Sequence, residues 1–184
     1  MKQKVEVVDY DPIWPQIFEE LKARIWPLVQ DFALALEHVG STAVPGLAAK
    51  PIIDLDVVIP SEAEIPLAVE RLAKLGYAHL GNLGIEGREA FKRPPDRPAH
   101  NLYVCVRGST GLQNHLALRD YLRANPEAAR AYGELKKRLA EEYPYDIGSY
   151  VANKTEFIVD ILGRMGLKAG QLDAIRQVNL NPKR

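Results

Sequence analysis

Short β-branched runs separated by Gly- and Pro-bearing turns dominate the chain up to Gly108, and helical three-four spacing of apolar residues takes over from Ser109. Val5–Val8 reads as a strand, after which Asp11 and Pro12 supply an N-cap and a first helical position. The helix so started carries Trp14, Ile17, Phe18, Leu21 and Ile25 on one face and Glu19, Glu20, Lys22 and Arg24 on the other, until Pro27 kinks or ends it. Ala33–Val39 is a strand that turns through Gly40-Ser41-Thr42, and Pro45-Gly46 marks a second turn. Ile52–Ile59, bounded by Pro51 and Pro60, is the clearest strand of the chain. Ser61 and Glu64 have capping-box spacing ahead of a helix through Leu67, Leu72 and Leu75, with Gly76 as its C-terminal cap. Tyr77–Leu80, Ala90–Arg93 and Asn101–Arg107 complete a mixed sheet.

Beyond that point the pattern predicts helices over roughly Leu112–Arg123, Pro126–Glu142 after an Asn125 cap, and Gly148–Met165, with Asn179–Arg184 as a frayed tail. Strands with a few helices, then helices alone, indicate the α+β class. The expected organisation is an α/β core at residues 1–108 and a helical region at 109–184 packed on it as one compact unit.

Composition narrows the partners. The 184 residues suffice for a sizeable core, and 24 Lys and Arg offset 24 Asp and Glu. The broad positive field that drives nucleic-acid binding is therefore missing, and a small-molecule ligand is expected instead. Apolar residues make up 47% of the chain but fall in broken runs, and the charged N-terminus lacks the apolar stretch of a secretory signal. A cytoplasmic protein without membrane spans is expected. Cys105, alone in the run Leu102–Val106, reads as a buried thiol.

The candidate chemistry sits in His38-Val39-Gly40-Ser41-Thr42 and in Ile53-Asp54-Leu55-Asp56-Val57. Residues two apart on a strand share a face at about 6.6 Å, so Asp54 and Asp56 project together while Ile53, Leu55 and Val57 face the other way. Two carboxylates in an apolar strand call for a compensating cation, and a divalent ion is the natural one. Gly40 allows close backbone approach, and Ser41 offers a hydroxyl and an amide to a phosphate. A Gly-Ser bend followed by Asp-x-Asp resembles the signature of the DNA polymerase β-like nucleotidyltransferase superfamily.

The resemblance sharpens when HVGSTAVPGLAAKPIIDLDVVI is read with LRDYLRANPEAARAYGELK and SYVANKTEFI. Together these strings resemble the GrpB family across most of the chain. The resemblance implies a nucleotidyltransferase-like fold, a nucleoside triphosphate as substrate, Mg²⁺ or Mn²⁺ held by Asp54 and Asp56, and a link to coenzyme A biosynthesis through relatives fused to dephospho-coenzyme A kinase. The superfamily pattern also asks for a third carboxylate on a later strand. None lies between Arg97 and Arg119, so His100 becomes the candidate base or third metal ligand, with Glu86, Glu89 and Asp96 as rivals. A histidine in that position would favour Mn²⁺ or Zn²⁺.

Around this centre, Lys50 before the Asp strand and Arg88, Lys92 and Arg93 on the neighbouring hairpin suit phosphate oxygens. Tyr150 and Lys154 are four apart on a helix, placing a ring for base stacking beside an ammonium for phosphate. Arg119, Asp120 and Lys136 are polar groups among apolar positions that fit a structural role equally well, and His38, His79 and His115 read as structural histidines. Two functions follow: metal-dependent nucleotidyl transfer from a nucleoside triphosphate to a small-molecule or protein acceptor, and a non-catalytic nucleotide- or cofactor-binding module that lacks the third acid. A single-metal phosphate-ester hydrolase is a weaker third.

Overall fold

The computed structural model describes residues 4–180, built around a five-stranded mixed sheet. The strands are β1 (Ala35–Val39), β2 (Ile53–Ile59), β3 (Ala78–Gly81), β4 (Arg88–Lys92) and β5 (His100–Val106), in the order β1-β2-β5-β4-β3. Only β2 and β5 run parallel; the other neighbours are antiparallel. The α+β class is what the sequence pattern implied.

Alternation along β2 sorts its side chains between two faces. Ile53, Leu55, Val57 and Ile59 are fully buried and join Leu102 and Val104 of β5 in the main core. Two helices cover this face: α1 (Trp14–Val29), contributing Trp14, Phe18, Leu21, Ile25 and Val29, and α2 (Ile65–Ala73), contributing Ala68 and Leu72. The Ser61–Glu64 capping box is present, on a 3-10 turn that leads into α2. Gly76, at φ +84°, donates its N–H to Ala73 and closes the helix.

The other face carries Asp54, Asp56 and Val58, and there the helices α3 (Thr110–Ala124), α4 (Pro126–Glu142), α5 (Ile147–Arg164) and α6 (Ala169–Leu180) assemble. Leu112 of α3 packs on Val58 and Cys105. Val44 and Leu47, from the loop after β1, join Leu122, Tyr132, Leu162 and Ile175 of all four helices in a second core.

Three expectations need correction. Val5–Val8 is no sheet strand: Val8 forms one isolated bridge with Ala49, and Val5 donates its N–H to Pro144. Pro27 does not end α1, which runs on to Val29 with the proline inside it. Residues 169–180 form a helix that the periodicity did not reveal, since Ile175 alone is fully buried among them. The frayed tail foreseen at 179–184 falls partly on α6, and residues 181–184 lie outside the described residues.

Candidate functional site

The bend after β1 is fixed by four ties. Gly40 has φ +70° and ψ −171°, a conformation essentially restricted to glycine, and a Cβ there would stand 2.2 Å from Asp54 Oδ2. The backbone therefore runs directly against that carboxylate. His38 stacks on Phe18 with centroids 4.7 Å apart and shares a 3.0 Å hydrogen bond with Thr42 Oγ1. Burial, reinforced by Arg123 and Arg119, lowers its pKa to about 4, so the ring is neutral. Arg123 donates from Nε to Ala43 O at 2.8 Å. Lys136 of α4 donates from Nζ to Ser41 Oγ at 2.8 Å, and is itself 2% exposed.

Asp54 and Asp56 share the face that looks onto this bend. Asp54 Oδ1 accepts from Asn101 Nδ2 at 2.7 Å, and burial raises its pKa; Asp56 adds to the rise while Asn101, His115 and Lys154 oppose it. Asp56 is wholly buried: its Oδ2 lies 2.7 Å from His115 Nδ1, and its Oδ1 has no hydrogen-bond partner among the described residues. An orphaned carboxylate oxygen beside a second carboxylate is the donor set a hard divalent cation takes. Asp54 and Asp56 therefore make a donor set that such an ion fits.

Two adjoining cavities, of about 220 and 180 Å³, share Ser41, Asp54 and Lys154. Together they reach the range of roughly 300–1,000 Å³ usual for small-molecule sites. Lys50, Lys136 and Tyr150 line the smaller cavity, and His115 and Arg119 line the larger. Burial lowers Lys136 to about 6 and Lys154 to about 8, each further depressed by a neighbouring ammonium and supported by Asp54. Two desolvated lysines facing one polar cavity make a strong anion site, because a phosphate oxygen relieves both.

The parallel register decides the third position. Asp54 is opposite Asn101 and Asp56 opposite Tyr103, whereas His100 is opposite Ile53 and so faces the α1/α2 core. His100 is 3% exposed, its Nδ1 donates to Pro98 O at 2.7 Å, and its Nε2 accepts from Tyr77 Oη at 2.7 Å. Such a ring stands away from the aspartates, and the expectation that it completes their site is corrected. Glu89 also points away, paired with Val104 in register and bonded to His79 at 2.6 Å.

Of the other expected residues, Lys50 and Lys154 are brought to the cavity. Arg88 is nine-tenths buried, with its guanidinium 4.5 Å from the Tyr103 centroid. Lys92 is exposed, and Arg93 lies near His100, whose protonation it opposes; neither lines the two cavities. Tyr150 does line the smaller cavity, but it is 1% exposed, packed with Val5 and Leu139, and covered by Lys154 Nζ 5.1 Å from its ring. It has no open face for a base to stack on, contrary to expectation.

The sequence marked Lys136 only as a polar group that fits a structural role equally well and His115 as a structural histidine, and it did not single out Asn101. A signal existed for two of them. Lys136 continues the buried stripe Ala129, Tyr132, Gly133, Leu139 and Ala140, and His115 falls between Leu112 and Leu122 at helical spacing. A polar residue inside an apolar stripe marks a group facing the interior for a reason. Asn101 carried none, because its partner is set by register alone.

A sheet of this order, with paired aspartates on β2 and a Gly-Ser bend before them, defines a nucleotidyltransferase-like fold. The Cid1 poly(U) polymerase in its MgATP-bound form shares it, with a TM-score of 0.53 at 15% identity over 83% of this chain and 50% of that one. The chain belongs to the GrpB protein family, whose profile matches residues 4–164. The crystal structure of the conserved protein GrpB from Enterococcus faecalis superimposes with a TM-score of 0.78 at 34% identity, covering 94% of this chain and 98% of that one. The glutamate-rich protein GrpB of Alkalihalophilus pseudofirmus is 35% identical over 89% of this chain and 97% of its own length. YqkA of Bacillus subtilis is 36% identical over 85% of this chain, and a dephospho-CoA kinase of Mycolicibacterium paratuberculosis 30% identical over 87%. The chain spans 46% of the length of each of these last two. No helix among the described residues is long and apolar enough to cross a membrane.

Proposed function

We propose that this chain binds a nucleoside triphosphate together with Mg²⁺ or Mn²⁺ and transfers its nucleotidyl group to a small-molecule or protein acceptor. The observation that carries the reading is the meeting of Asp54 with Ser41, Lys136 and Lys154 around one polar cavity, with the wholly buried Asp56 on the same face of β2. Asp54 and Asp56 would hold the ion, which when bound polarises a phosphoryl group and offsets its charge. Ser41 and the ammonium groups of Lys136, Lys154 and Lys50 take the phosphate oxygens. Asn101 fixes the orientation of Asp54, and His115 that of Asp56.

Calorimetry tests the reading. ATP, GTP, CTP and UTP are each titrated with Mn²⁺ and with chelator, and binding is expected with Mn²⁺ alone and in wild type but not in Asp54→Asn. Equal affinity in chelator would sink it.

One observation favours a second reading, a nucleotide-binding module without catalysis: amide and phenol side chains, Asn101 and Tyr103, stand on β5 opposite the two aspartates. Pyrophosphate release from a bound triphosphate, lost in Asp56→Asn, would separate transfer from binding alone. The likeness to a dephospho-CoA kinase supports a connection to coenzyme A biosynthesis, so dephospho-CoA belongs in the acceptor screen.

A further inference from the structure

Asp56 faces a second group of donors, of which the proposed transfer uses His115 alone, and that only to orient Asp56. Alternation on β5 places Cys105 on the same face as Tyr103, one step along from the residue opposite Asp56, and α3 brings His115 down onto it. One ligand atom from each of Asp56, Cys105 and His115 lies within 4.8 Å of the others. Asp56 and Cys105 are wholly inaccessible to solvent, and Asp56 Oδ1 has no hydrogen-bond partner among the described residues.

We propose that Asp56, Cys105 and His115 form a zinc site, buried between β2, β5 and α3 and independent of Asp54. Around a tetrahedral Zn²⁺ with bonds of about 2.0–2.3 Å, donor atoms stand roughly 3–4 Å apart, so these side chains converge with small rotamer adjustments. The ion takes the place of the proton now shared between His115 Nδ1 and Asp56 Oδ2 at 2.7 Å. The donor set is a thiol, an imidazole and a carboxylate, which suits Zn²⁺ and disfavours Mg²⁺ and Ca²⁺.

Charge supports the same ion. A coordinating metal takes a cysteine as thiolate, displacing the thiol proton. Zn²⁺ with one thiolate, one carboxylate and a neutral imidazole has no net charge. The nearby Arg88 guanidinium, stacked on Tyr103, would repel an isolated cation there but not a neutral complex. His115 also lines the cavity of about 220 Å³ beside Asp54 and one of about 250 Å³ bordered by Glu86 and Ile175. Of the three side chains, His115 is the one that lines these cavities.

The site shares Asp56 with the nucleotide reading but needs neither Asp54 nor a nucleotide, and its test is made without one. Metal-stripped full-length protein is titrated with Co²⁺ and then Zn²⁺. The expected result is a sulfur-to-cobalt charge-transfer band that saturates at one equivalent and is bleached by Zn²⁺. Cys105→Ser is expected to lose the band and to bind Zn²⁺ at least about 100-fold more weakly. Asp54→Asn is expected to keep the band while losing Mn²⁺-dependent nucleotide binding. A wild-type cobalt spectrum without the band would overturn the proposal, because the ion would then lie among oxygen donors only. So would disappearance of the band in a folded Asp54→Asn variant. If Cys105→Ser does not fold, the wild-type spectrum decides.

Discussion

Lys136 Nζ and Ser41 Oγ, 95 residues apart in sequence, are joined by a 2.8 Å hydrogen bond that ties the buried face of α4 to the Gly-Ser bend. Among the described residues the Lys136 amine has no carboxylate partner at bonding distance, and burial brings its pKa from 10.5 to about 6. Between those values the unfolded chain holds a proton that the folded chain has released, so this group's contribution to stability rises with pH and is least favourable below about 6. Lys136→Met is expected to melt above wild type at pH 6, by at least about 1 kcal/mol in stability, with the advantage shrinking towards pH 9. The same variant is expected to weaken triphosphate binding about tenfold or more, as loss of a charge-assisted hydrogen bond does. Thermal melts at the two pH values and calorimetry check both outcomes.

Gly40→Ala tests the contact between the bend and Asp54. The substitution meets an unfavourable φ of +70° and a carboxylate oxygen 2.2 Å from the new Cβ. A loss of about 1–3 kcal/mol of stability is expected, with displacement of Asp54 and loss of Mn²⁺ affinity. Chemical denaturation and Mn²⁺ calorimetry read the two effects, and an unchanged Mn²⁺ affinity would separate the bend from the ion.

His100 lies on the opposite face from the aspartates, so its removal has a different signature. His100→Ala strips partners from Tyr77 Oη and Pro98 O and is expected to cost about 1–3 kcal/mol. Mn²⁺-dependent nucleotide affinity, measured on the folded variant, should not change. A selective loss of that affinity would return His100 to the site.

His38 makes the bend sensitive to acid. Its folded pKa of about 4 lies below the ordinary 6.5, so the unfolded state binds the extra proton between those values and stability falls as pH drops through that window. Wild type is expected to lose stability between pH 6.5 and 4 more steeply than His38→Gln, which keeps a hydrogen-bonding group towards Thr42 but does not titrate. Urea midpoints across that range provide the check, and parallel curves would show that His38 does not contribute.

The sequence by itself determined what depends on local order. Alternation put Asp54 and Asp56 together on one face of β2, the Gly-Ser pair marked the bend, and helical spacing located α3, α4 and α5 to within two residues. Amphipathic stripes and strand alternation are written into neighbours along the chain, and propensity acts on them directly. Where the local signal was weak it failed: α6 buries little and Val5–Val8 finds only one bridge. The tertiary structure decided which distant side chains meet. A register of 54 with 101, rather than 54 with 100, brings Asn101 to Asp54 and turns His100 into the core. Packing of α3 and α4 on the same face delivers His115 and Lys136, and packing of α5 buries Tyr150 while leaving Lys154 at the cavity. A one-residue change in strand pairing reverses every side chain it carries, and that pairing is settled by hydrogen bonds and core fit between segments far apart in the chain.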